Sequence, residues 1–278
     1  MNIQYYIENS GNMYNGIQAL FPTLKKLNRV LIWAIMDIAV LVKQTVDMDQ
    51  IKLNDENEPI MDNLPLKMDI LSKNAIEAAV QLKEKYGGKV TGIIFGTEKS
   101  TSTMKEAYAM GVDEGTVIKG YQKSDPLVTA GVIAAELKKA KYDIIILGDQ
   151  SSDSYSGLLA GLLASELDLN VITNAINIEV KDKIANVTVE SENEDVTVET
   201  GLPAVVSVAQ EINEPRLPKV MQIMMAGKKN INIVDGNPGY EDDTKILSDR
   251  APENERKKII YEDGKGIDEV AKILKVVK

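Results

Sequence analysis

Between Gly148 and Gly157 the chain reads "GDQSSDSYSG", a small, polar loop held between the apolar runs "DIIIL" and "LLAGLLASELDL". A helix opening near Ser156-Gly157 leaves its first N–H groups free. With the hydroxyls of Ser152, Ser154 and Ser156 these make a ready anion site. Asp153 can hold a ribose hydroxyl. Neither the Walker pattern nor the Gly-x-Gly-x-x-Gly dinucleotide fingerprint occurs here. A capped helix after a buried strand looks the same, so nucleotide binding and plain α/β punctuation both stay open.

Three other stretches carry candidate chemistry. "FGTEKSTSTMK" is a second small-residue turn, in which Gly96 lets the backbone approach a ligand. "ESENED", from Glu190 to Asp195, gathers carboxylates of the kind used in acid–base work, but such a charged tip reads first as a solvated hairpin loop. "NEPRLPKVMQIMMAGKK" places a stiff acid–proline–arginine corner before a stripe of Met221, Met224 and Met225 with Ile223. At helical spacing that stripe suits either a core or an adaptable binding surface.

Composition narrows the chemistry. The 278 residues include no His and no Cys, which removes thiol nucleophiles, disulfides and imidazole bases. A net charge of −10 argues against a general nucleic-acid surface, though backbone N–H groups can still hold a phosphate. The longest apolar stretch, "VLIWAIMDIAVLV", is interrupted by Asp37 and is shorter than the roughly 20 residues of a bilayer span. "MNIQYYIENSGNMYNG" lacks the charged start and cleavage site of a signal peptide, so a cytoplasmic location is the expectation.

The elements that must position these loops alternate from Met36 onward. Continuous apolar strands ("DIAVLVK", "KVTGIIFG", "EGTVIKGY", "DIIILGDQ") are separated by helical runs. The first helix ends at Gly87-Gly88, another at Gly111, and a third opens on Asp125-Pro126 as cap and first turn. That pattern predicts an α/β fold, a Rossmann-like, doubly wound, mostly parallel sheet covered on both faces. Its ligand site belongs at the strand C-termini: Val42-Lys43, Phe95-Gly96-Thr97, Tyr121 and Gly148-Asp149-Gln150. "IKLNDENEPIMDNL" is hairpin-like, residues 174–210 read as a hairpin returning to one more buried strand, and "NINIVDGNPGYEDDTKILSDRAPENERKK" reads as a long extended tail. The expected division is an extension over 1–35, the α/β nucleotide-binding domain over 36–235, and an extended arm with a closing helix over 236–278 that wraps a partner subunit. Residues 1–35 lack a clear period. They read as a start-site artefact or a mobile arm, with a genuine N-terminal helix ("GIQALFPTLKKL") as the rival.

The stretch "LPAVVSVAQEINEPRLPKVMQIMMAGKK" resembles the signature region of the β subunit of electron-transfer flavoproteins. "IAVLVKQTVD", "AIEAAVQLKEKYGGKVTGIIFG", "KEAYAMGVDEG", "DIIILGDQSSD" and "RAPENERKK" match the same family in order and spacing, from about Met36 to the C-terminus. The resemblance implies an electron carrier, not an enzyme acting through its own side chains. It implies a heterodimer whose α subunit carries a redox FAD, with AMP, or a second FAD in electron-bifurcating relatives, in the β subunit. It also implies docking to flavoprotein dehydrogenases such as acyl-CoA dehydrogenases. The flavin brings the chemistry, which fits a chain without His or Cys.

Carried over residue by residue, nucleotide contacts fall on Leu41, Lys43, Asp69, Ser72, Phe95, Gly96 and the loop of Gly148, Gln150, Ser152, Asp153, Ser154, Tyr155, Ser156 and Gly157. Docking falls on Glu214, Arg216, Val220, Met221 and Met224, and Glu190 matches an acid that steadies the mobile flavin domain. Three departures stand out. Asp69-Ile70 replaces the frequent Asn-Pro, placing an acid that would repel a phosphate it faced. The loop after Asp153 is short, with "YSGLL" in place of the usual run. The basic cluster is reduced to Lys228 and Lys229. The alternative from another class is a stand-alone nucleotide-binding regulator or ATP hydrolase on a similar fold, with Asp149 and Asp153 as its Mg²⁺ acids. A scaffold with an empty site is the third.

Overall fold

The computed structural model describes residues 35–61, 63–122, 125–192, 194–237, 244, 246–252, 259–262, 264 and 266–276. The readings made for 1–34 lie outside the described residues. In chain order the first strands are β1 (Met36–Leu41), β2 (Gln44–Val46), β3 (Lys52–Leu53), β4 (Pro59–Ile60) and β5 (Leu66–Met68). Then come α1 (Ile70–Tyr86), β6 (Gly88–Gly96), α2 (Thr101–Met110), β7 (Glu114–Lys119) and α3 (Pro126–Leu137). β8 (Ile144–Gly148), α4 (Leu159–Leu167), β9 (Asn170–Lys181), β10 (Ile184–Glu190), β11 (Asp195–Gly201) and β12 (Ala204–Val208) follow. The chain closes with α5 (Val220–Ala226), β13 (Asn232–Asp235) and α6 (Ile267–Val276).

Nine strands form one sheet in the order β11-β10-β9-β12-β8-β1-β6-β7-β13. The pairs from β9 to β13 are parallel, and only the β9–β10–β11 meander is antiparallel. Register at the centre sets Ile38 beside Ile144 and Val40 beside Ile146. Alternate residues of β1 bury on opposite faces. Ile38 and Val40 join the core with Ile76 and Val80 of α1 and Met104 of α2. Ala39 and Leu41 join Ile133 of α3 and Leu163 of α4. Both faces are therefore dry, which is why the strands read as continuous apolar runs. This is the expected doubly wound, Rossmann-like α/β architecture.

Local signals place the helix ends. Asp69 caps α1 and Gly87 ends it at φ 75°. Asp125 caps α3, with Pro126 in the first turn. Two expectations need correcting. Asn232–Asp235, read as part of an extended tail, is an edge strand parallel to β7, with Ile233 opposite Val117. Its alternation, "NINIVD", is short and one-sided, so the apolar content of a central strand is missing. The helix after the Gly148 loop opens at Leu159, not near Ser156-Gly157, because Gly157 sits at φ 63°, outside the helical region.

The chain divides into two units, one running to Gln50 and resuming at Asn63 as far as Lys245, the other joining Ile51–Asp62 to Ile246–Lys278. In the smaller unit β3 and β4 pair antiparallel, Asn54 Oδ1 accepts from the N–H groups of Glu56 and Glu58, and Arg250 pairs with both of those glutamates. Among the described residues no helix is long and apolar enough to cross a membrane.

Candidate functional site: the crevice between β1 and β8, and the corner beside α1

The sheet reverses its winding at β1. From β1 the chain moves through α1 to β6 and then β7 on one side; α3 carries it back across to β8 on the other. The C-terminal ends of β1 and β8 therefore diverge at a switch point, where loops leave a crevice. Lys43, just past β1, reaches across it. Its Nζ donates to Asp153 Oδ1 at 2.6 Å and to Ser151 Oγ at 3.0 Å. Ser151 Oγ also donates to Asp153 Oδ1 at 2.7 Å and shares a 2.9 Å bond with Ser154 Oγ. Burial pushes the Asp153 carboxyl up, but the Lys43 ammonium and the Ser151 hydroxyl outweigh it and hold it below the usual range.

The start of α1 forms the floor. Lys43 N–H donates to Ser72 Oγ at 2.9 Å. Asp69 is 1% exposed and turned inward: Oδ1 accepts from Leu71 N–H at 3.1 Å, while Oδ2 accepts from Ser152 N–H at 2.8 Å and Ser152 Oγ at 2.6 Å. The acid expected to repel a phosphate is thus spent bracing the β8 loop against the helix. Leu41 has its side chain in the core and can offer the crevice only backbone. Gly148 is small because Leu71 is close; a Cβ there would lie 2.6 Å from Leu71 Cβ. Gly96, read as making room for a ligand, instead makes room for Ser100, whose Oγ would be 2.3 Å from an added Cβ. Gln150, Ser154, Tyr155 and Ser156 are exposed on the loop, with Tyr155 at φ 48°.

On the far side of β1, Phe95 packs edge-on against Tyr121, with ring centres 5.3 Å apart at 87°. Tyr121 N–H donates to Gly96 O at 3.1 Å. Burial, and then the charge of Asp153, push the Tyr121 hydroxyl up. Sequence reasoning missed Gln44, which joins this wall to the rest: its Nε2 donates to Thr103 Oγ1 at 2.8 Å and its Oε1 accepts from Ser100 Oγ at 3.2 Å. A lone Gln in "VKQTV" carries no signal for that role. Asp149, weighed as a Mg²⁺ acid, faces the neighbouring strands. Its Oδ1 accepts from Ser207 Oγ at 2.6 Å and Asn174 N–H at 3.2 Å.

The second cluster lies where β12 runs out toward α5. Asn213 Nδ2 donates to Asn74 O at 3.0 Å, and Asn74 Nδ2 donates to Asn213 O at 2.9 Å and Gln210 O at 3.1 Å. Arg216 is gripped by two acids of α1, Nε reaching Glu77 Oε2 and Nη1 reaching Glu84 Oε1, both at 2.7 Å. The hydrogen bonds it donates to Glu84 and Glu77 push the Arg216 guanidinium further up. Burial pushes Glu77 up, but Arg216 and Gln81 outweigh it and hold the carboxylate below its usual value. Arg216, grouped with docking, is therefore occupied internally. Glu214 stands exposed beside it.

Beyond the corner the chain turns its apolar residues outward. Leu217 is 92% exposed, Val220 75% and Met221 73%, with Met224 and Met225 also outside. The methionine stripe is surface, not core. Leu217 was overlooked because "RLPK" breaks the helical spacing that drew attention to Val220. Glu190 lies at the end of β10, one strand in from the opposite sheet edge, and is not part of this corner.

Comparison with known proteins agrees with this architecture. Residues 60–238 match the model of the electron transfer flavoprotein domain. The electron transfer flavoprotein subunit beta of Bacillus subtilis is 32% identical over 198 residues, 70% of this chain and 77% of that protein. The subunit of the same name from Megasphaera elsdenii is 30% identical over 236 residues, covering 80% of this chain and 86% of its own length. That from Thermoanaerobacterium thermosaccharolyticum is 29% identical over 237 residues, 80% and 90% respectively. A family match over more than half the chain, on a doubly wound sheet of the expected topology, means that this chain belongs to the electron transfer flavoprotein family, with the β subunits.

Proposed function

We propose that the chain is the β half of an electron transfer flavoprotein heterodimer. It holds AMP, or a second FAD, at the crevice between β1 and β8, and presents the Leu217–Met225 face to flavoprotein dehydrogenases such as acyl-CoA dehydrogenases. The redox FAD of the pair resides in the α subunit. The observation that carries the reading is Lys43 Nζ at 2.6 Å from Asp153 and 3.0 Å from Ser151, a cation and hydroxyl donors meeting at the switch point. A nucleotide phosphate fits that donor set: Lys43 supplies charge, Ser151 and Ser154 supply hydroxyls, and Asp153 accepts from a ribose hydroxyl. The flavin supplies the electron chemistry when bound. The residues of this chain bind, orient and keep the loop in place, with Asp69 pinning Ser152 from beneath.

The β8 loop is less suited to ATP hydrolysis, since Asp149 is committed to Ser207 and to the Asn174 N–H. The test is to purify the chain with its α subunit, denature the complex, and identify the released nucleotides by chromatography and mass. Two nucleotides per heterodimer are expected, one FAD with either AMP or a second FAD. A single FAD and nothing else would sink the crevice assignment, and steady phosphate release from ATP would favour the hydrolase.

A further inference from the structure

We propose that Glu77 is a positioning residue for docking: through Arg216 it fixes the course of the chain into Leu217 and α5, and so the geometry of the apolar face that a partner grips. This rests on the docking reading above.

Asn74, Glu77, Gln81 and Glu84 follow one another at intervals of three or four along α1 and so share one helix face. That face holds the corner. Asn74 and Asn213 each donate a side-chain amide hydrogen bond to the other's backbone carbonyl. Glu77 accepts from Arg216 N–H at 3.1 Å, Nε at 2.7 Å and Nη2 at 3.0 Å. Gln81 Nε2 steadies Glu77 Oε1 at 2.9 Å, and Glu84 accepts from Nη1 and Nη2. Glu77 is the buried member, its side chain 5% exposed against 56% for Glu84. A charge taken out of water demands its partner close by, and removing one member of such a pair leaves the other buried without compensation.

Leu217, Val220, Met221 and Met224 all face outward, and an exposed apolar strip gains by folding back onto the protein. Two fixed ends prevent that. Arg216 is the first. At the second, Ala226 is buried, Lys229 Nζ donates to Val112 O at 3.0 Å and lies 4.9 Å from the Tyr108 ring centre, and Tyr108 OH donates to Asn230 O at 2.7 Å. The apolar strip spans the two.

The experiment uses the assembled heterodimer with Glu77→Gln and, as the milder variant on the exposed arm of the clamp, Glu84→Gln. Electron acceptance from a purified acyl-CoA dehydrogenase is followed, together with hydrogen exchange of residues 217–226. For Glu77→Gln we expect KM for the dehydrogenase to rise about tenfold, with kcat and flavin content unchanged, and exchange in 217–226 to quicken several-fold. Glu84→Gln should shift both readouts in the same direction by about twofold to threefold, and it decides the matter if Glu77→Gln does not fold. Unchanged KM, or unchanged exchange, in a folded variant overturns the proposal. A wild-type complex that takes no electrons from the dehydrogenase removes the docking reading, while the exchange readout still decides whether Glu77 sets the corner.

Discussion

Lys43 Nζ and Asp153 Oδ1 stand 2.6 Å apart, joining the end of β1 to the loop after β8 at the point where the sheet reverses its winding. Each side chain is about one-third exposed, 34% and 31%, so the pair is neither a surface accident nor a sealed core bridge. It leaves a cation that a phosphate can claim, and a carboxylate released at the same moment to accept from a sugar hydroxyl.

Lys43→Met should therefore weaken nucleotide binding more than it weakens the fold. A charge-assisted hydrogen bond contributes about 1.5–3 kcal/mol, on the order of a tenfold to hundredfold loss of AMP affinity. A partly exposed ion pair contributes only about 0–1 kcal/mol to stability. Titration calorimetry with AMP, beside a denaturation curve, reads both. Equal AMP affinity in variant and wild type would remove Lys43 from the site.

Asp69→Ala tests the floor of the crevice. The substitution deletes the α1 cap and strands the part-buried Ser152 N–H, losses of roughly 1 kcal/mol and 1–3 kcal/mol respectively. Denaturation should register a drop of about 2–4 kcal/mol. Gly148→Ala attacks the same joint from the strand side, forcing a Cβ to within 2.6 Å of Leu71 Cβ. Its cost should be about 1–3 kcal/mol, and combined with Asp69→Ala the two should not add, because both loosen one contact between α1 and the β8 loop. Strict additivity would mean that the joint is not shared.

The central sheet was legible because its information is local and redundant. Ile144, Ile145, Ile146 and Leu147, a short β-branched apolar run, read as a buried strand, and Asp125-Pro126 or Gly87 mark helix ends by chemistry that acts within a turn. The site was legible as a place but not as a set of contacts. Asp69 reads as a misplaced charge until Ser152, far along the chain, is seen against it. Gly96 reads as space for a ligand until Ser100 fills it. β13 escaped because an edge strand buries little, so its sequence need not be strongly apolar. Leu217 escaped because exposure is decided by what packs nearby, and nothing in "RLPK" says that nothing does.

Acid should act through named carboxylates. Glu77 and Asp153, where partner contacts outweigh burial, and Glu84, where Arg216 acts most strongly, all have folded values below their ordinary ones. Groups lowered on folding contribute stability that is present above the unfolded pKa and lost as pH falls through the folded one. Arg216 is shifted upward and stays charged throughout, and the chain has no His. The denaturation midpoint should stay flat from about pH 8 to pH 5 and decline below about pH 4.5, where unfolded Glu and Asp take up protons. Glu77→Gln should shallow that decline. A steep change between pH 6 and 8 would point to a titrating group outside these pairs.

The proposed docking face makes the sharpest separation between fold and function. Leu217 is 92% exposed and Met221 73%, so Leu217→Glu and Met221→Glu remove no core contact, and surface changes of this kind usually stay within about 0.5 kcal/mol. Interfaces concentrate their energy in a few apolar anchors, each of which can cost more than about 2 kcal/mol when lost. The double variant should keep its denaturation midpoint, its nucleotide and its flavin-bearing partner, while its KM for a dehydrogenase rises by at least about thirtyfold, the equivalent of that anchor energy. Substituting Leu217 alone should account for much of the effect, because it is the most exposed side chain of that face. Normal transfer from the double variant would place docking on another surface and leave the methionine face without a role in it.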